Sequence, residues 1–271
     1  MNQKTRKPLK AYLNHAFIKS RDARPLRILA EYLEPEQRFE EHDIRDTIVF
    51  FGSARIPSRE TALAALETAK AAGGDLEAAE LQLGMSRYYE DTRELARRLT
   101  EWSKALEGTD RRFVICTGGG PGIMEAANRG ACEARGLSVG LGISLPNEAT
   151  GNPYITRELA FEFHYFFMRK FWFAYLSKAM VAMPGGFGTF DELFEVLTLM
   201  QTRKMTKHQP IVLFGTDYWD SVIDFDGLVR AGTIASADLD LIHRTDSVDG
   251  AFDFITRELT EHALADPGGG L

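Results

Sequence analysis

Phe113-Val114-Ile115-Cys116-Thr117-Gly118-Gly119-Gly120-Pro121-Gly122-Ile123-Met124-Glu125 is the stretch on which the reading of this chain turns. An apolar run of strand-forming residues passes straight into a glycine-rich turn, and residues of helical composition follow from Ile123 to Arg135. A short apolar run closed by a turn marks a strand buried on both faces. A strand that feeds a helix through glycines is the repeating unit of a parallel sheet, because parallel neighbours need a crossover and a helix supplies it.

The same alternation extends in both directions. Thr47-Ile48-Val49-Phe50-Phe51 is an earlier strand closed by Gly52-Ser53, and a long helical region follows it, interrupted at Gly73-Gly74. Downstream lie a strand over 137–141, another over 159–163, a helix from about Tyr165 to Ser177, and a strand over 179–183. Pro184-Gly185-Gly186-Phe187-Gly188 forms a second glycine loop and opens a helix to about Thr202; strands follow over 210–214 and near Leu239–Ile242. The pattern predicts an α/β fold, a Rossmann-like doubly wound parallel sheet with right-handed crossovers. Residues 1–45, with a helical rhythm from Leu26 to Leu33 that ends near Pro35, are read as an N-terminal helical extension. Residues 46–265 are read as one Rossmann-like domain, and the glycine-rich residues 266–271 are expected to be disordered.

Composition narrows the function. The 271 residues carry a formal net charge of −7, which argues against nucleic acid as a partner, since its binders present a basic field. A small anion must instead be held locally. Cys116 and Cys132 are too few for a disulfide framework and read as core or near-core residues, and the six histidines show no short-spaced pair of the zinc type. Histidine spacing therefore gives no zinc motif. MNQKTRKPLK is basic without a following apolar segment, and no later run is apolar enough to span a bilayer, so a cytoplasmic protein without membrane contact is expected.

Both glycine loops fall where strands enter helices, the end of a parallel sheet at which ligands bind. Missing side chains let a phosphate approach the backbone N–H groups, and the helix dipole favours the anion. The first loop is neither the dinucleotide fingerprint, since Ile123 stands where its last glycine would be, nor a Walker loop, since no Gly-Lys-Ser/Thr follows. A single such loop is more often only a tight turn. Two in one sheet point to a mononucleotide site, in which Ser53 and Glu148 are further candidates, although serine is common at such turns and Glu148 rests on its loop position alone.

Pro184-Gly185-Gly186-Phe187-Gly188-Thr189-Phe190-Asp191-Glu192 resembles the PGGxGTxxE signature of the LOG ("lonely guy") family, formerly labelled lysine decarboxylases. Gly118-Gly119-Gly120-Pro121-Gly122-Ile123-Met124-Glu125 is similar to that family's first phosphate loop, and Arg169-Lys170 to its Arg-Lys pair. The resemblance covers roughly Thr47 to Trp219. The N-terminal extension, Phe166-Phe167-Met168 and Leu145-Pro146-Asn147-Glu148 resemble the family's longer branch. Membership implies hydrolysis of the N-glycosidic bond of AMP or a cytokinin riboside 5'-monophosphate by a homodimer or larger assembly, with no cofactor. It also implies Arg169 and Glu192 as the catalytic pair, with Gly118, Gly119, Gly120, Gly122, Met124, Lys170, Gly185, Gly186, Gly188 and Thr189 around the nucleotide.

The chemistry suits those residues. Breaking the bond builds positive charge on the ribose, which a carboxylate and a positioned water stabilise. Thr189-x-x-Glu192 is equally a capping box, and spacing alone leaves the two roles open. Arg169 lies in a helix so aromatic that protein must cover most of it, and its guanidinium either engages an anion there or forms a structural ion pair. The aromatic cluster reads as core or dimer contact, and His164 as a partly buried structural histidine. Two competing functions remain: a non-catalytic nucleotide carrier or sensor, and a lysine decarboxylase, for which no pyridoxal-phosphate lysine context is present.

Overall fold

The computed structural model describes residues 8–106, 111–144 and 151–270. Its helices and strands, in chain order, are α1 (His15–Ile18), α2 (Arg24–Glu41), β1 (Thr47–Phe51), α3 (Arg59–Ala72), α4 (Leu76–Lys104), β2 (Val114–Thr117), α5 (Ile123–Glu133), β3 (Ser138–Ile143) and β4 (Ala160–Phe163). There follow α6 (Phe166–Leu176), β5 (Ser177–Ala182), α7 (Phe187–Gln201), β6 (Ile211–Phe214), α8 (Thr216–Val222), α9 (Phe225–Arg230), β7 (Ile242–Thr245) and α10 (Val248–His262). The strands form one sheet in the order β4-β3-β2-β1-β5-β6-β7, with every adjacent pair parallel.

Side-chain alternation builds two cores from this sheet. In β1, Ile48 and Phe50 point to the face covered by α4, α5 and α10, whereas Val49 and Phe51 point to the face that holds Trp172, Phe173 and Leu193 of α6 and α7. Both faces of the central strands are covered, and all five residues of β1 are buried, whereas the edge strands β4 and β7 keep exposed or half-buried positions. The chain winds outward from β1 through β2, β3 and β4, then returns to β1's other side as β5. Order therefore reverses between β1 and β5, and the crevice beyond their carboxyl ends is the expected ligand position.

Several boundaries differ from expectation. The predicted stop near Pro35 is not observed: α2 runs on to Glu41 with Pro35 buried inside it. A proline in a helix interior leaves the carbonyl four residues earlier without its usual donor. Here that carbonyl, Glu31 O, accepts the Trp172 indole N–H at 3.1 Å, so tertiary packing removes the penalty. The break at Gly73-Gly74 is present: Gly73 ends α3 at φ +70°, and the Asp75 side chain caps α4 by accepting the Ala78 N–H. The last strand is β7, Ile242–Thr245, whereas 236–241 form a 3-10 turn. Cys116 is buried as expected, but Cys132 is exposed.

The tail, up to Gly270, makes hydrogen bonds to the body of the domain. Asp266 O accepts from Lys178 Nζ at 2.9 Å, Gly268 N donates to the buried Asp46 carboxylate at 3.0 Å, and Gly270 N donates to Tyr175 O at 3.0 Å. Among the described residues no helix is long and apolar enough to cross a membrane.

Candidate active site

The two glycine loops leave the carboxyl ends of β2 and β5 on either side of β1, and Ser53 ties them together. Its N–H donates to Pro184 O at 2.9 Å and its carbonyl accepts the Ile123 N–H at 3.1 Å. The Ser53 hydroxyl accepts the Arg55 N–H at 3.1 Å, so the side chain closes its own turn while the backbone joins the loops. Such close approach leaves no room for side chains. A Cβ on Gly122 would lie 2.4 Å from Ser53 O, at a φ of +68°, and one on Gly185 would lie 2.1 Å from Thr189 Oγ1. Gly186 and Gly188 instead face open space, with nothing within 4 Å of a Cβ position.

The glycines thus divide into two groups: Gly122 and Gly185 permit packing, and Gly186 and Gly188 keep the start of α7 accessible. Neither α5 nor α7 has a side-chain cap at its N-terminus, the arrangement that suits an external anion. Met124 folds over the first loop, its Sδ within 2.9 Å of a Gly118 Cβ position and its Cε within 2.7 Å of a Gly120 one. Tyr218 donates to Gly185 O and holds the second loop from α8.

A buried polar network supports the first loop, and sequence reasoning missed it. Thr117 Oγ1 accepts the Gly119 N–H at 2.9 Å and donates to Asn128 Oδ1 at 2.7 Å. Asn152 Nδ2 donates to that same Oδ1 at 2.9 Å and to Gly120 O at 3.0 Å, and Asn152 N donates to Gly119 O at 2.8 Å. Buried amides fully paired in this way stiffen the backbone they hold. Their separation along the chain gives no motif to read.

Glu192 and Arg169 meet across α7 and α6. The structure removes the capping-box reading: α7 begins at Phe187 with Gly186 as N-cap, so Thr189 and Glu192 both lie inside the helix. Glu192 is buried and faces Arg169, whose Nη2 lies 3.6 Å from its Oε1. At that distance the attraction is electrostatic, beyond hydrogen-bond length. Burial pushes the Glu192 carboxyl up to about 7, with Lys170 and Arg169 pulling the other way. Lys170 Nζ bridges Asp191 and Glu195, each at 2.9 Å, and so sits beside Glu192 on the α7 surface.

The N-terminal extension fixes the helix that carries Arg169. The Glu31 carboxylate of α2 accepts the His164 N–H at 2.9 Å and the Tyr165 N–H at 3.1 Å, at the start of α6. Tyr32 and Phe39 pack against the Trp172 ring at 5.6 and 5.3 Å between centroids. His164 itself is exposed rather than partly buried, because its backbone and not its ring makes the contact. Most of α6 is covered as expected, yet Phe166 and Phe167 remain 49% and 54% exposed. Glu148 lies outside the described residues.

The family model described as "Possible lysine decarboxylase" matches residues 124–255. The chain is 31% identical over 170 residues to the cytokinin riboside 5'-monophosphate phosphoribohydrolase LOG7 of Arabidopsis thaliana, covering 56% of this chain and 75% of the relative. It is 35% identical over 127 residues to the probable cytokinin riboside 5'-monophosphate phosphoribohydrolase LOGL5 of Oryza sativa subsp. japonica, covering 45% of this chain and 49% of that relative. For LOGL5 and the Arabidopsis thaliana LOG2 the match spans about half of the relative's length or less. Among solved structures, the Moco carrier protein of Chlamydomonas reinhardtii is 20% identical with a TM-score of 0.48, covering 80% of this chain and 99% of that one.

Proposed function

The chain belongs to the LOG family of phosphoribohydrolases, and from that premise we propose that it hydrolyses the N-glycosidic bond of a nucleoside 5'-monophosphate, AMP or a cytokinin riboside 5'-monophosphate. The observation that carries the reading is the Glu192 carboxylate, buried and facing Arg169, less than two helical turns beyond an uncapped, glycine-lined helix start. Phosphate docks at the Gly186–Thr189 end of α7 and against the Gly118–Gly122 loop, which places the ribose toward Glu192, about 8 Å along the axis at 1.5 Å per residue. The Glu192 carboxylate stabilises the ribosyl cation and takes a proton from the attacking water. The C1'–N bond breaks, the base leaves with a proton from solvent, and ribose 5-phosphate remains. Arg169 favours the ionised form against the effect of burial and orients the carboxylate.

Binding energy from the phosphate positions the distant anomeric carbon, so the monophosphate reacts and the nucleoside does not. Chromatography of AMP and adenosine incubations tests this: free adenine from AMP alone is expected. Binding of AMP without base release would overturn the reading in favour of a carrier. The same proposal includes a cytoplasmic homodimer, supported by the free thiols and by the apolar surface of Phe166 and Phe167. Phe167→Asp should then shift sedimentation from dimer to monomer; a monomeric parent protein would refute the assembly.

A further inference from the structure

We propose that this protein carries a divalent transition-metal site on its surface, formed by His208, Glu258 and His262 at the end of the sheet opposite the glycine loops. His208 precedes β6, and α10 runs back from the carboxyl end of β7, so its last turn meets the amino-terminal end of β6. Among the described residues, these three side chains are the group whose possible ligand atoms all lie within 4.8 Å of one another. His208 Nε2 is 2.8 Å from Glu258 Oε2, and His262 Nε2 is 4.0 Å from the same oxygen. The two imidazole rings stand 4.3 Å apart between centroids.

Metal–ligand bonds of about 2.0–2.1 Å in tetrahedral geometry place donor atoms roughly 3.4 Å apart. The observed spacings bracket that value, and small rotations of two half-exposed imidazoles are enough to meet it. The backbones beneath are already fixed. Lys207 Nζ donates to Tyr175 O at 2.9 Å and Gln209 Nε2 donates to Ser177 Oγ at 2.9 Å, so the residues on both sides of His208 are anchored inward while it points out. Ile255 and Leu259, fully buried, anchor α10 on the other side.

Arg257 completes the arrangement. Its Nη2 donates to Glu258 Oε1 at 2.9 Å, which turns Oε2 toward the imidazoles in the way that outer hydrogen bonds orient metal ligands. Two imidazole nitrogens and one carboxylate oxygen select zinc, nickel or copper ions over magnesium or calcium, which prefer all-oxygen sets. Three protein ligands leave a position for water. A bound ion would clip the segment before β6 to α10 and raise stability by mass action.

Calorimetric titration of the tag-free full chain with zinc chloride alone tests the site, with magnesium chloride as the comparison. One zinc per chain is expected, with affinity about tenfold or more weaker in His208→Gln and in His262→Gln, and unchanged in Cys132→Ser. Zinc should raise the melting temperature of the parent protein and leave both histidine variants unmoved. Absence of saturable zinc binding, binding that survives both histidine substitutions, or binding lost in Cys132→Ser would each overturn the proposal. All three positions lie outside the nucleotide site, so these readouts do not depend on the catalytic reading.

Discussion

Arg169 Nη2 stands 3.6 Å from Glu192 Oε1, a contact between helices that follow different strands and meet over the reversal point of the sheet. The pair is the part of the site in which burial, charge and position coincide. Glu192 is 5% exposed, which makes the carboxylate sensitive to each neighbour.

Replacing that carboxylate by an amide isolates its charge. Glu192→Gln should keep the fold and nucleotide binding while base release falls about a hundredfold or more, as removal of a focused electrostatic group does. Stability should not fall, because the amide needs no counter-charge in its buried position and no capping box is lost. Melting temperature and adenine release, measured side by side, check this; a fully active, folded variant would remove Glu192 from the mechanism.

The raised carboxyl sets a pH dependence. With Glu192 at about 7, kcat/KM should climb through that pH as the free enzyme's carboxylate forms, and the limb should vanish in Glu192→Gln. Stability carries the opposite sign. Between the ordinary value of 4.5 and about 7 the folded chain holds the proton more tightly than the unfolded chain, so this contribution is present in full below that window and is lost as pH rises through it. Lys207 is lowered by burial, and secondarily by Lys178, to about 7 from 10.5, so its contribution is full above 10.5 and is lost as pH falls from there to about 7. Urea unfolding across pH 4 to 10, on the parent and on Glu192→Gln, separates the two.

The two groups of glycines should respond differently to alanine. Gly122→Ala forces a side chain against Ser53 O in a conformation that suits glycine alone, and should destabilise by about 2 kcal/mol or more. Gly188→Ala meets nothing within 4 Å and sits in the first turn of α7, so stability should rise by about 0.5 kcal/mol while KM for the monophosphate increases. Unfolding curves together with steady-state kinetics decide it; a Gly188→Ala protein with unchanged KM would place the phosphate elsewhere.

The extension should matter to chemistry through α6. Glu31→Ala removes the acceptor for the His164 and Tyr165 N–H groups and should lower kcat severalfold with little change in KM, since Arg169 shifts while the glycine loops stay in place. The acid limb of the pH profile should move upward as Arg169 withdraws from Glu192. Glu31→Gln, which still offers one acceptor, should restore part of kcat. Loss of activity with an unshifted profile would mean that α2 only stabilises the fold.

How much of this was written in the local sequence depends on the kind of interaction. The parallel sheet, both glycine loops and the break at Gly73-Gly74 were legible, because apolar runs, glycine turns and caps act over a few neighbouring residues. Glu192 was legible only as an alternative: the spacing from Thr189 served a cap as well as a catalyst, and the start of α7 at Phe187 removes the cap. Pro35 reads locally as a helix end, yet the Trp172 indole, brought in by packing, takes the carbonyl it orphans and α2 continues. Thr117, Asn128 and Asn152 carry no signature at all, since a buried amide is recognised by the partners that the fold assembles around it. Local chemistry determined which elements form and where the glycine loops fall; only the tertiary structure decided which side chains face one another, because contacts between distant residues and the burial that raises Glu192 exist only once the sheet is covered on both faces.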